Sequence, residues 1–334
     1  MNLETAYLGL HLPSPLVASA GPVTRSVAGI RKLAEAGVGA VVLPSLFEEQ
    51  IRREAERDAA LAEAGSESFG EALTYFPAYA IDAGPRQYLD LIERAAAAVP
   101  IPVIASLNGS TPGGWTEYGA AMQRAGAAAI ELNIYYLSGD PMIAGREADE
   151  RYLEILRTVR AAVTVPIAVK LSPYFSSLGE IASRLREAGA DGLVLFNRFM
   201  QTDIDPDTLE VSAGLTLSSP AEATLPRSWI ARLRGRVPLS LAATTGVETS
   251  ADVAAYLLAG ADVVMTTSSL LRHGAEHAAT LLAGLRAWME RKGFSSVDQV
   301  RGRLAAAAGA DAAAYGRPSY LTTIEQATRT YGPS

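Results

Sequence analysis

Four short apolar runs in this chain share one lead-in. Ala36–Leu43, Ala125–Leu132, Ala188–Leu195 and Ala259–Thr266 each begin with Ala-Gly and pass within a few residues into aliphatic or β-branched side chains. Each follows a stretch whose apolar positions recur at helical spacing, such as Ile181–Glu187 and Val253–Leu258, so the pattern changes period at the glycine. A glycine at that point predicts a helix C-terminal residue in the left-handed conformation, leading into a buried parallel strand. A second phrase alternates with the first: Val99–Ile104, Val165–Val169 and Val237–Leu241 each place Pro at the start of an apolar run, a position where a strand tolerates it. With the opening segment Pro15–Ser19, the strands number eight, near 15–19, 39–43, 102–106, 128–132, 166–170, 192–196, 238–242 and 262–266.

Eight strands separated by helical patterns predict a closed parallel (β/α)8 TIM barrel rather than a doubly wound open sheet. No linker divides the chain, which reads as one domain over residues 1–334. The extra length falls into excursions near 45–99 and 198–236 and a C-terminal extension beyond about Lys292. Long excursions after strand ends commonly carry binding loops.

Composition narrows the function. The chain has 334 residues, is 49% hydrophobic and carries a net charge of −7, which disfavours nucleic acid or an anionic membrane as the main partner and favours a small molecule. It contains no cysteine, so disulfides, thiolate catalysis, Cys-ligated zinc and a thiolate-ligated iron–sulfur cluster within this chain are excluded. There is no basic, apolar leader over Met1–Leu12 and no run long enough to span a bilayer, so a cytoplasmic location is expected.

Barrel enzymes place their chemistry at the C-terminal ends of the strands, and here those ends are polar: Ser19-Ala20-Gly21, Pro44-Ser45, Ser106-Leu107-Asn108, Asn133, Lys170, Asn197, Thr244-Thr245-Gly246 and Thr267-Ser268. A single Asn at a strand end often only turns the chain; eight converging ends predict a ligand-binding rim. Lys170 follows Ile167-Ala168-Val169 and is one of three lysines in a chain that otherwise uses arginine. Three readings of it stand: a core ion pair with a carboxylate such as Glu131, a Schiff-base nucleophile, or a cation holding an anionic or electron-rich cofactor. The hydroxyls and amides after strands seven and eight occupy the usual phosphate site of such barrels. Thr249 and Ser250 fit as N-caps for the following helix.

Taken in order, Ser14–Pro22, Glu131–Ile134, Pro166–Tyr174, Asn197 and Thr245–Thr249 followed by Asp252 resemble the corresponding segments of the dihydroorotate dehydrogenase family, flavoproteins holding FMN in such a barrel. The resemblance runs from about Leu3 to His273. It implies that Ala20 and Gly21 let backbone approach the isoalloxazine, that Ser45, Asn108 and Asn133 bond ribityl or ring atoms, that Lys170 lies at the flavin N1/O2 edge, and that Thr245, Gly246, Thr267 and Ser268 cradle the phosphate. Asn133 and Asn197 would hold the substrate. It further implies an FMN-dependent oxidoreductase of CH–CH groups, as in dihydroorotate oxidation in pyrimidine biosynthesis, with an electron acceptor, a homodimeric state and, as a candidate, a redox partner protein.

The departures from that pattern lie on the substrate side. The loop after strand four reads Asn133-Ile134-Tyr135-Tyr136-Leu137-Ser138, with Tyr136 where the family carries a Cys or Ser base and Ser138 where it carries a second Asn. These two are the local candidates for the catalytic base, with Lys170 acting in catalysis as the flavin-edge cation; alternatively Tyr135 and Tyr136 are packing anchors. Pro44 replaces an expected lysine, Ala72–Pro77 keeps only the Pro of an expected Asn and Met-Gly turn, and Arg198 stands where a small hydroxyl residue is usual. Each unmatched buried polar partner would cost a planar substrate about 1–3 kcal/mol, so a substrate other than dihydroorotate is also expected. Two other readings compete: a phosphosugar lyase using Lys170 as a Schiff base, and a non-catalytic flavin-bearing subunit of an electron-transfer complex. Phe47–Ala64 reads as a solvated helix, Tyr75–Tyr88 as an aromatic cover or subunit contact, and His273 with His277 as a helix-end pair without a third metal ligand, so no metal site is expected.

Overall fold

The computed structural model describes residues 1–54, 56, 84–111, 115–134, 136, 139–198, 202–213, 216–307 and 317–332. Eight parallel strands close into a barrel: β1 (Leu16–Ala18), β2 (Ala40–Val42), β3 (Val103–Gly109), β4 (Ala129–Ile134), β5 (Ile167–Leu171), β6 (Gly192–Leu195), β7 (Ser240–Ala243) and β8 (Val263–Thr266). Each strand pairs with its successor, and β8 closes on β1 through Val264↔Leu16 and Thr266↔Ala18. The predicted strands therefore all form, with ends within three residues of the expected limits.

The repeat works as its composition requires. Gly37, Gly126, Gly189 and Gly260 all have φ between +91° and +118°, and at Gly260 the amide bonds back to the carbonyls of Tyr256 and Leu257. Without a Cβ, the chain can turn out of the helix there and enter the next strand directly.

Strand alternation then sorts the side chains by height inside the barrel. Val17, Ala40, Ile104, Ala129, Ala168, Val194, Ala242 and Val263 form one apolar interior cluster, sealed from below by Tyr7, Leu8 and Leu12. Those three come from an N-terminal hairpin, Thr5–Tyr7 against Leu10–Leu12, whose two-residue turn Leu8-Gly9 has positive φ at both positions, the geometry that suits a tight hairpin. Two residues further up, the inward positions on β3, β4 and β5 become Ser106, Glu131 and Lys170, while β2 and β8 keep the apolar Val42 and Met265; toward the rim stand Ser19, Asn108, Asn133 and Thr267. The other parity packs against the helices in a single large core containing Leu16, Val41, Val103, Ile130, Val169 and Leu193. Each such Leu or Val withdraws about 1.5–3 kcal/mol of apolar surface from water.

The excursions are structured where described. Leu46–Phe47 adds a short strand to the upper end of β3, and residues 48–54 are helical; the rest of the expected helix to Ala64 and the segment Ala72–Pro77 lie outside the described residues. The helix is not wholly solvated: Glu48 is buried and accepts hydrogen bonds from Ser110, Thr111 and Arg52. Burial pushes its carboxyl up, but the Thr111 hydroxyl and the two backbone amides outweigh that and hold it below the ordinary carboxylate value. Of the aromatic segment 75–88, Tyr88 is described. It is buried, and its hydroxyl accepts from the Ser106 amide at 2.8 Å and donates to the Ser106 carbonyl at 3.2 Å, so it buttresses β3 rather than covering the rim. The second excursion holds an antiparallel hairpin, Thr202–Asp205 with Glu210–Ala213. The C-terminal extension returns beneath the barrel, where Arg301 reaches Thr5 and Asp262.

Among the described residues, no helix is long and apolar enough to cross a membrane.

Candidate functional site

An open cleft lies over the C-terminal ends of β1, β8, β7, β6 and β5, a contiguous arc of the barrel. It is lined by Ser19 and Ala20 after β1, Lys170 on β5, Phe196, Asn197 and Arg198 after β6, Thr244 to Val247 after β7, Met265 to Ser268 at β8, and Ser218 from the second excursion.

Six of the ten residues expected around a cofactor therefore share one cleft: Ala20, Lys170, Thr245, Gly246, Thr267 and Ser268. The other four are outside its lining. Gly21 packs so closely on Thr267 that a Cβ would run into the threonine methyl. Asn133 on β4 accepts a 2.7 Å hydrogen bond from Asn197, so the two expected substrate asparagines are coupled and Asn197 faces the cleft. Ser45 shares a 2.8 Å hydrogen bond with Ser106, and Asn108 is buried on β3; both stand on the arc across from the cleft.

The β7 loop is held in an unusual shape. Thr245 has φ +82° and Gly246 φ +69°; a β-branched residue in that region is an outlier that surrounding structure must enforce. Tyr256 supplies the enforcement: its hydroxyl lies 3.0 Å from the Thr244 carbonyl and 2.7 Å from the Thr245 carbonyl. Burial pushes that phenol well above its ordinary pKa, so it remains a donor. Gly246 is required sterically as well, because a Cβ there would lie 2.7 Å from the Ser219 carbonyl and 2.8 Å from the Ala223 amide. Thr249 caps the helix Ser250–Ala259 in a reciprocal capping box with Asp252, as expected from its position.

Ser218 was not singled out by sequence reading. Its hydroxyl accepts from the Gly246 amide at 3.2 Å and bonds Ser268 Oγ at 3.0 Å, tying the excursion to both rim loops. A signal existed: Ser219-Pro220-Ala221-Glu222 is a capping-box sequence, and the box forms. Behind these loops Arg272 bonds Glu248 at 2.7 Å and the Ser218 carbonyl at 2.9 Å. His273 meets the same carboxylate at 2.6 Å, and His277 meets the Glu248 carbonyl at 3.2 Å. His273 closes its short helix as expected, whereas His277 opens the next one. Burial pushes Glu248 up, but the bonds from His273 and Arg272 prevail and lower its pKa. Among the described residues, no group of three or more His, Cys, Asp or Glu is placed to hold a metal ion.

The ion pair with Glu131 forms, and Lys170 also faces the cleft. Its side chain is 10% exposed, lines the cleft, and lies 3.4 Å from Oε1 of Glu131. Arg198 also lines the cleft, tethered to Glu222 at 2.8 Å and to the Thr216 carbonyl.

The candidates for a base separate. Tyr136 is half-buried, packs on the helix-side core, and has the Arg151 guanidinium 4.1 Å above its ring; its carbonyl accepts from Tyr152. It is absent from the cleft lining. Ser138 lies outside the described residues.

The comparisons with known proteins agree with this geometry. The family model for dihydroorotate dehydrogenase matches residues 2–289. The catalytic subunit of dihydroorotate dehydrogenase B (NAD(+)) from Methanothermobacter thermautotrophicus is 27% identical over 318 residues, covering 90% of this chain and 97% of the relative. The NAD-dependent dihydropyrimidine dehydrogenase subunit PreA of Escherichia coli is 24% identical over 326 residues, covering 90% of this chain and 76% of the relative. None of this favours a Schiff-base lyase or a non-catalytic subunit. A closed barrel with a polar cleft at its C-terminal rim, matched by that family model over most of its length, makes this chain a member of the dihydroorotate dehydrogenase family.

Proposed function

We propose that the chain is a single FMN-binding barrel and acts as an FMN-dependent oxidoreductase on a CH–CH bond, with dihydroorotate the first substrate to test. One observation carries the reading: Lys170 and the hydroxyl-rich loops after β7 and β8 face one cleft. The residues fit the group. The hydroxyls and amides around Thr245, Gly246, Ser218, Thr267 and Ser268 suit a dianionic phosphate, and Gly246 lets the β7 loop pack directly on Ser219 and Ala223. Ala20 suits the close approach of a flat ring, with Gly21 holding the β1 loop against Thr267. Lys170 would supply a cation beside that ring.

When bound, FMN would accept two electrons and a proton equivalent from the substrate carbon. The protein's part is then to orient and to stabilise charge. Lys170 stabilises negative charge developing beside it. The Asn133–Asn197 pair offers an amide face to a planar substrate, with Asn197 positioned by the bond to Asn133. For the base we favour Ser138 over Tyr136, because the tyrosine ring is engaged by Arg151 and the core. Relatives named as subunits support reoxidation through a redox partner, and a homodimer is part of the same proposal.

The test is spectroscopic. Purified protein, reconstituted with FMN and desalted, retains the flavin spectrum, and anaerobic dihydroorotate bleaches it. Flavin retained but unbleached would keep the cofactor and replace the substrate.

A further inference from the structure

Lys170 has a place in the proposed chemistry; Glu131, beneath it, does not. Glu131 is 1% exposed and belongs to the polar layer just above the apolar floor of the barrel. One of its oxygens meets a single ammonium at 3.4 Å, and Oε2 has no hydrogen-bond partner among the described residues. The Tyr7 hydroxyl, also buried in the barrel, is likewise without a partner there; burial raises its pKa, and the charge of Glu131 adds to the rise. A buried carboxylate so poorly satisfied is a costly way to build a barrel interior. A cation alone could be held at the rim by neutral acceptors. What a carboxylate adds is negative charge in a water-poor site, where charges are felt at longer range than in solvent.

We infer that Glu131 is a positioning residue that sets the reduction potential of the flavin, holding Lys170 Nζ at the cleft and offsetting part of its charge. This deepens the flavin reading above and rests on it. Glu131 does not line the cleft; it acts through Lys170. A carboxylate beneath the cation disfavours the extra negative charge of the reduced ring, so it keeps the potential lower than Lys170 alone would.

The experiment is an anaerobic redox titration of the full-length, FMN-loaded protein against a reference dye. Glu131→Gln removes the charge and keeps the shape; Glu131→Met removes it with an apolar chain that needs no partners. In either, the ratio of reduced to oxidised flavin at a fixed potential rises at least tenfold, about 30 mV for a two-electron couple. Glu131→Asp keeps the charge, and Tyr7→Phe changes only the neighbouring hydroxyl; both stay within about twofold of wild type. An unchanged ratio in the neutral variants with FMN still bound overturns the inference alone, as does Glu131→Asp shifting as far as Glu131→Gln. Wild-type protein that binds no FMN overturns the flavin reading, and this inference with it.

Discussion

Lys170 Nζ stands 3.4 Å from Glu131 Oε1 on adjacent strands of the barrel, the lysine 10% and the glutamate 1% exposed. The pair spans the boundary between core and cleft, so loss of the lysine acts on both sides. Lys170→Ala leaves a buried carboxylate uncompensated and is expected to lower the unfolding free energy by about 3–5 kcal/mol, measured by urea denaturation. In the folded fraction, FMN affinity falls at least about tenfold, the scale of a lost charge-assisted contact, measured by equilibrium dialysis.

Gly246→Ala places a methyl against the Ser219 carbonyl and the Ala223 amide at φ +69°. Gly235 is the control, with φ +76° and open space around its Cβ position. Both substitutions carry the backbone penalty of about 1 kcal/mol. Gly246→Ala alone is expected to weaken FMN binding, by at least tenfold, in fluorescence titration.

Tyr136 and Ser138 can be told apart by the reductive half-reaction followed in a stopped-flow instrument. A general base contributes roughly 10²–10⁴ in rate. Ser138→Ala is expected to slow reduction about a hundredfold or more, while Tyr136→Phe, which keeps the ring beneath Arg151, stays within about threefold. The reverse order would move the base to Tyr136.

Glu48 ties the helix at 48–54 to the end of β3 through Ser110 and Thr111. Its carboxyl is held below the ordinary value in the folded protein, so its contribution is complete above the unfolded pKa of about 4.3. It is lost as pH falls through the folded pKa. Glu48→Gln is expected to cost about 1–3 kcal/mol at pH 7. The difference between variant and wild type should shrink below about pH 4, measured as urea stability at each pH.

The barrel was legible because its two signals are local: the Ala-Gly turn out of each helix and the Pro that opens a buried run both act within a few residues. The hairpin plug under the barrel was not, because Thr5–Leu12 is too short to show a period and its burial comes from strands elsewhere in the chain. Most of the rim was readable from the residues ending each strand. Sequence could not say which ends share one cleft, since Ser45 and Asn108 terminate their strands as Lys170 does but stand on the opposite arc. Ser218 depends on how a 39-residue excursion, 198–236, folds back, which no local pattern encodes beyond the cap that follows it. Glu131 was readable as a possible partner of Lys170 by strand alternation, though not the missing contact at its second oxygen.

The central claim is that the cleft holds FMN. The absorbance spectrum of the purified protein, recorded after incubation with FMN and removal of unbound flavin, tests it most directly. Retention of close to one FMN per chain, with a perturbed flavin band, is the predicted result. A colourless protein after reconstitution would contradict the account.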